Sequence, residues 1–316
     1  MSGGAVRMIF QPSAASAASA GAMIGLLTAA LPVFGQGLTL KSPKPVSIEE
    51  VADNLYLITG EGGNVAVLVT DSGVALVDDM FERNHAGIVE AVASVTDQPI
   101  RYVINTHQHD DHAGGDRLFL PIAEVIAHEN VRVNLSHIKQ PYYEDTPGLP
   151  PGLPEITFSE SLTLHFGPET VHAIHPGRGH TNADAVILFP RRGVIHVGDL
   201  FIGRGSLNIY ADYAQGGSLL QWAATLDAIL ALDFDVVIPG HGPIASRADL
   251  LRFRSDLAAM VERIDALVDM DASKQQIAVV LETDYGWRST GCPPAPPTPG
   301  CLQFQQLDAL IDELSQ

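Results

Sequence analysis

The chain of 316 residues carries 18 Lys and Arg against 37 Asp and Glu, a formal net charge of −19, which argues against a nucleic-acid backbone or an anionic membrane surface as its main partner. A composition 46% hydrophobic and 17% charged excludes a disordered chain. Two cysteines exclude a disulfide framework and a cysteine-rich zinc finger, whereas twelve histidines suffice for a metal site.

Residues 1–35 read as an export signal. Arg7 is the sole basic residue before Lys41, small residues fill 13–21, and an apolar run over 21–34 is interrupted by Thr28 and Pro32. An apolar segment of about 7–15 residues ending in small residues marks a secretory signal, and it falls short of the roughly 20 residues a membrane span needs. Cleavage near Gln36 would leave a periplasmic or secreted protein with no membrane span, and residues 36–50 form a linker into the fold. The main domain then covers 51–272, and a helical extension with a cysteine-bounded loop covers 273–316.

Short apolar runs at 55–59, 65–70 and 74–78, separated by Gly62-Gly63 and Asp71-Ser72-Gly73, predict hairpin strands. Ile88, Val89, Val92 and Val95 recur at helical spacing and predict a helix over 83–95. Strands at 100–105 and 124–127, a helix over 129–137 and a Pro- and Gly-dense loop over 139–154 follow. The second half repeats the pattern, with strands at 156–158, 162–166, 170–175, 185–189 and 194–197. Ser218 caps a helix to about 232, a strand covers 235–238, and Ser246 with Asp249 resembles a capping box opening a helix toward 269. The repeated order suggests two similar halves of one α/β unit. Cys292 and Cys301 bound a proline-rich loop, for which export predicts a disulfide, and 302–314 reads as a final helix.

The strongest chemical signal is THQHDDH at 106–112. His107 and His109, two apart at a strand end, point the same way. Asp111 and His112 follow as the chain turns into Ala113-Gly114-Gly115, where glycines permit a sharp turn and close backbone approach. His180 lies in PGRGHT, Asp199 in GDLF and His241 in PGHG, each in a loop after a strand, where site residues gather in sheet proteins. Imidazoles and carboxylates are the donor set of zinc and similar ions. The three later motifs argue against a merely solvated His-rich loop.

The order THxHxDH, GHT, GDLF and PGHG resembles the metallo-β-lactamase superfamily over about residues 50–270. The resemblance implies a four-layer αββα sandwich with the site at one edge of two facing sheets. It implies two Zn2+ per chain: one held by His107, His109 and His180, one by Asp111, His112 and His241, with Asp199 bridging. Two such metals lower the pKa of a shared water from 15.7 toward ~7, so hydroxide oriented by Asp111 attacks a carbonyl. The leading expectation is a β-lactamase-like hydrolase of a cyclic amide or ester, with a small-molecule substrate and no nucleic acid. Asp199 stands where one β-lactamase subclass has cysteine, so a glyoxalase-II-like thioesterase or a lactonase is the alternative. An iron-dependent sulfur dioxygenase is a more distant one. No GxSxG elbow and no GxxxxGK loop compete. Arg178 and Arg204 are candidates to bind a substrate carboxylate, and Tyr210 and Tyr213 to line the pocket. Trp222 reads as core, and His175 as a residue standing behind the ligands.

Overall fold

Strand after strand in this chain buries both of its faces, so the apolar runs are nearly continuous. The computed structural model describes residues 42, 44–137, 149–203, 209–291 and 299–315, all within the compact unit Leu40–Gln316. One sheet has the order β1-β2-β3-β4-β5-β6-β7, comprising β1 (Ser47–Ala52), β2 (Leu55–Thr59), β3 (Val65–Thr70), β4 (Gly73–Val77), β5 (Ile100–Ile104), β6 (Glu124–His128) and β7 (Ile156–Phe158). β1 to β4 pair antiparallel, and β4 to β7 pair parallel. The other sheet has the order β13-β12-β11-β10-β9-β8, comprising β8 (Ser161–Phe166), β9 (Glu169–Ile174), β10 (Val186–Phe189), β11 (Val194–His196), β12 (Val236–Ile238) and β13 (Ala245–Ser246).

Alternation along each strand separates the layers. Leu57, Ala66, Leu68 and Val77 of the first sheet meet Ala173, Ala185, Ile187 and Phe189 in the core between the sheets. Val65, Val67 and Leu76 point the other way, onto Ile88 and Val92 of α1 (His85–Ala93) and Phe119 at the end of α3 (Asp116–Phe119). Between these two helices runs the single turn α2 (Asp110–Ala113), and α4 (Glu129–His137) follows β6. On the outer face of the second sheet, Leu188, Ile195 and Val237 pack against α5 (Leu219–Leu230) and α6 (Arg247–Asp269). α7 (Lys274–Tyr285) and α9 (Leu307–Leu314) join that same core, and α8 (Pro299–Phe304) precedes α9. The result is the expected αββα sandwich. Among the described residues no helix is long and apolar enough to cross a membrane.

The predicted caps hold where side chains reach backbone. Ser218 accepts from Gln221 at the start of α5, and Ser246 and Asp249 form a reciprocal capping box on α6. Three expectations change. Residues 47–50, read as linker, belong to β1, which pairs with β2 through Ser47↔Thr59 and Ile48↔Ile58. As an edge strand carrying Glu49 and Glu50, β1 lacks an apolar pattern, which is how sheets protect their edges. The helix over 83–95 opens as a 3-10 turn at Glu82–Asn84 and ends at Ala93. The final helix is two pieces, α8 and α9, separated by a turn at Gln305 and Gln306. The signal segment 1–35, Arg204 and Cys292 lie outside the described residues.

Candidate metal centre

The site is built where β4 and β5 run out side by side. Asp78, just past β4, has φ +63° and Met80 φ +60°, a left-handed conformation uncommon for residues with a side chain. That turn points the Asp78 carboxylate, fully buried, across to the THQHDDH segment. It accepts hydrogen bonds from Thr106 N at 2.7 Å and from the Thr106 hydroxyl at 2.9 Å. His112 Nδ1 donates to the same carboxylate at 2.8 Å. Because the Thr106 hydroxyl donates to Asp78, it accepts from His107 Nδ1 at 3.0 Å. One carboxylate thereby fixes two imidazoles with their Nδ1 atoms protonated and their Nε2 lone pairs turned inward.

His109 and His180 are fixed in the same manner by a different segment. His180 Nδ1 donates to the carbonyl of Tyr210 at 2.7 Å, and His109 Nε2 donates to Asp212 at 3.0 Å. The remaining ring nitrogens converge: His109 Nδ1 lies 3.1 Å from His107 Nε2 and 2.8 Å from His180 Nε2. With each outer nitrogen carrying the ring proton, three lone pairs face one another without a donor among them, an arrangement a cation relieves.

The second cluster combines charges. His241 Nε2 lies 3.2 Å from Asp111 Oδ2 and 3.2 Å from His112 Nε2. Asp199 spans the two groups. Its Oδ1 is 3.2 Å from His112 Nε2 and 3.4 Å from His241 Nε2, while its Oδ2 is 3.6 Å from His180 Nε2. Oδ1 is buried, and its neighbours among the described residues are those two imidazole nitrogens. Donor atoms of His107, His109 and His180, of His107, His112 and Asp199, and of Asp111, His112 and His241 each lie within 4.8 Å of one another. The donor set and its geometry fit a pair of divalent ions.

Glycines make room for this crowding. A Cβ on Gly63 would meet His112 Cε1 at 2.2 Å, and one on Gly240 would meet Asp199 Oδ1 at 2.0 Å. The β2–β3 hairpin is pinned over the site by Gly63 N donating to Asp111 O at 2.8 Å and Asn64 N to Gly240 O at 2.7 Å.

Burial and neighbouring charge divide the clusters electrostatically. Burial, with the other imidazoles adding to it, pushes His107 well below its usual value and His180 down to about 4. Burial opposes ionisation in the second cluster too, but there the paired charges outweigh it. Asp199, with Asp111, raises His112 well above its usual range; Asp199 and hydrogen bonding to Asp111 bring His241 up to about 10. Asp111 is lowered to about 2 by His112 and His241, and Asp199 falls well below its usual value beside the same two rings.

All seven residues of the four motifs therefore come to one edge of the sandwich. Arg178 is half-buried, donating from Nε to Gly216 O at 2.6 Å and from Nη2 to Gly217 O at 3.3 Å; it braces a turn. Tyr210 has its ring 6.0 Å from that of His180. Tyr213 donates its hydroxyl to Glu313 at 2.8 Å. Trp222 is core, its indole donating to Leu200 O at 3.1 Å. His175 stacks on His128 at 4.1 Å and bonds the Asp184 carbonyl at 2.7 Å. Sequence reasoning missed Asp78, Asp212, Asn64 and the clearance glycines. Asp78 offered a signal, a carboxylate at the end of a predicted strand, the same placement that drew attention to Asp199.

An αββα sandwich gathering imidazoles and carboxylates at the loop edge of its two sheets defines a metal-binding hydrolase scaffold. Residues 50–241 match the family described as the Metallo-beta-lactamase superfamily, and the chain belongs to that superfamily. Similar proteins include a "Metallo-beta-lactamase type 2" of Bacillus cereus, 26% identical over 65% of this chain and 80% of its own length. Another is the "2,4-dinitroanisole O-demethylase subunit alpha" of Nocardioides sp. (strain JS1661), 24% identical over 72% of this chain and 68% of its own. Among solved structures, a metallo-beta-lactamase from Pontibacter korlensis superposes with a TM-score of 0.60 at 20% identity, covering 67% of this chain and 99% of that one. That likeness is one of fold.

Proposed function

We propose that the protein is an exported dinuclear zinc hydrolase that opens a cyclic amide or ester in the manner of a β-lactamase. The observation that carries the two-metal part of this reading is Asp199, whose two oxygens face two separate groups of imidazoles. His107, His109 and His180 would hold one zinc, and Asp111, His112 and His241 the other, with Asp199 between them. Zinc bound there supplies Lewis acidity and brings the pKa of water toward ~7. The chain's own groups do the positioning. Asp78 and Asp212 hold His107, His112 and His109 by their outer nitrogens. Asp111, brought to about 2, stays ionised at neutral pH and orients water as an acceptor rather than storing a proton. The relative named as a metallo-beta-lactamase supports the substrate class.

A second reading, a thioester or lactone hydrolase, is favoured by the carboxylate at position 199. An iron-dependent sulfur dioxygenase fits less well, because Asp111, His112 and His241 also converge. Export rests on the apolar run over 21–34, and an N-terminus near Gln36 in a secreted fraction is its test. A Cys292–Cys301 disulfide goes with it; Cys301 is buried in α8. Metal analysis combined with hydrolysis assays on a penicillin, a carbapenem, a lactone and a glutathione thioester tests the central reading. One tightly held iron and no zinc would remove it.

A further inference from the structure

The C-terminal extension lies beyond the matched family region, yet it holds the segment that fixes two of the histidines. Residues 209–218 carry Tyr210, whose carbonyl accepts from His180, and Asp212, which accepts from His109. The Asp212 N–H also donates to the His180 carbonyl at 2.8 Å. The same segment is gripped from behind by Gln306, in the turn between α8 and α9. Its Oε1 accepts from Ala211 N at 2.8 Å, and its Nε2 donates to Ile209 O at 2.9 Å. The amide thus pairs with the backbone on both sides of Tyr210 as a neighbouring strand would. Gln306 is 4% exposed, and Ile209 and Ala211 at most 1%, so removing the amide leaves two buried backbone groups without this partner. Farther along, Glu313 of α9 accepts from Tyr213 Oη at 2.8 Å, from Leu220 N at 3.3 Å and from the Ser218 hydroxyl.

We propose that Gln306 is a positioning residue for the three-histidine cluster, acting through the Tyr210 carbonyl and Asp212 to aim His180 and His109. It rests on the reading that these histidines hold a metal. Outer partners of metal-binding histidines set affinity by fixing ring orientation, and Gln306 fixes those partners. Among the described residues the second cluster is framed by Asp78, Asn64 and Gly240 rather than by residues 209–218. The effect should therefore fall on one ion alone.

The test is zinc titration of the full-length, chelator-stripped protein against a competing chelator, for wild type, Gln306→Leu and Gln306→Glu. Gln306→Leu is expected to weaken one zinc affinity by about tenfold and leave the other within about twofold. In Gln306→Glu burial keeps the carboxyl neutral, so it retains an acceptor for Ala211 N–H and an O–H donor for Ile209 O; its loss should be smaller and on the same ion. It also carries the test if the leucine variant does not fold. A purely structural role would lower the melting temperature of both variants while both affinities stay at wild-type values, and that result overturns the proposal. Wild-type protein that takes up no zinc overturns the metal reading itself, and this inference with it.

Discussion

The two ligand clusters share an edge of the sandwich and one carboxylate, yet they are built on opposite electrostatic principles. His107, His109 and His180 are tethered by their outer nitrogens, and burial holds His107 well below its usual value and brings His180 down to about 4. Asp111, His112, His241 and Asp199 form a network of opposite charges, with His241 raised to about 10 and Asp111 lowered to about 2. The first presents inward-facing ring nitrogens held by hydrogen bonds behind them. The second is neutralised by its own protons, which a metal would have to displace. Neighbouring sites of similar composition thus differ in what binding costs them.

Removing the shared carboxylate breaks the comparison most severely. Asp199→Asn keeps the shape and loses the charge facing both groups. It is expected to lower turnover by orders of magnitude and to deplete the second cluster more than the first, as read by metal content. Two retained zincs and near-wild-type rates would show that Asp199 is not a ligand.

Next in size are the carboxylates behind the rings. Asp78 supports His112 directly and His107 through Thr106, so Asp78→Asn should weaken both affinities by about 10–100-fold. Asp212 supports only His109, so Asp212→Asn should weaken one. Equal losses at both clusters from Asp212→Asn would erase the distinction between them. A smaller change comes from the hairpin. Gly63→Ala would press a methyl against the fully buried His112 ring, costing about 1–3 kcal/mol of stability, measurable by denaturant melts. It should disturb the second cluster first.

The same contrast explains what could be read from the sequence. The seven residues that cluster were legible, because each follows an apolar strand and carries a polar group in the loop beyond it. The inter-sheet core was legible from runs such as 65–70 and 185–189. Asp78 and Asp212 were not, since their role depends on which turn faces which ring, a matter of tertiary approach. β1 was hidden because an edge strand needs no apolar pattern. Gln306 was hidden because a buried amide pairing with backbone looks, in sequence, like any other glutamine.

The pH dependence discriminates the clusters most cleanly. Above a pH of about 5 the buried rings of His107 and His180 have no proton to release, since His107 lies well below its usual value and His180 is brought to about 4. Their contribution to zinc affinity should be nearly flat with pH. His241 holds its proton up to about 10 and His112 is raised in the same way, so zinc competes with both protons through the neutral range, and affinity at the second cluster should rise by about ten- to a hundredfold per pH unit. Stability of the ion-free protein follows the same groups with opposite signs. The raised His241 contributes stability present in full below its unfolded value near 6.5 and lost as pH rises through about 10. The lowered His180 works the other way: the unfolded chain binds its proton first, so stability is lost as pH falls from about 6.5 toward 4. Zinc titrations at several pH values between about 6 and 9 give both slopes at once. Parallel slopes would mean that the clusters do not differ in protonation, and the contrast drawn between them would be wrong.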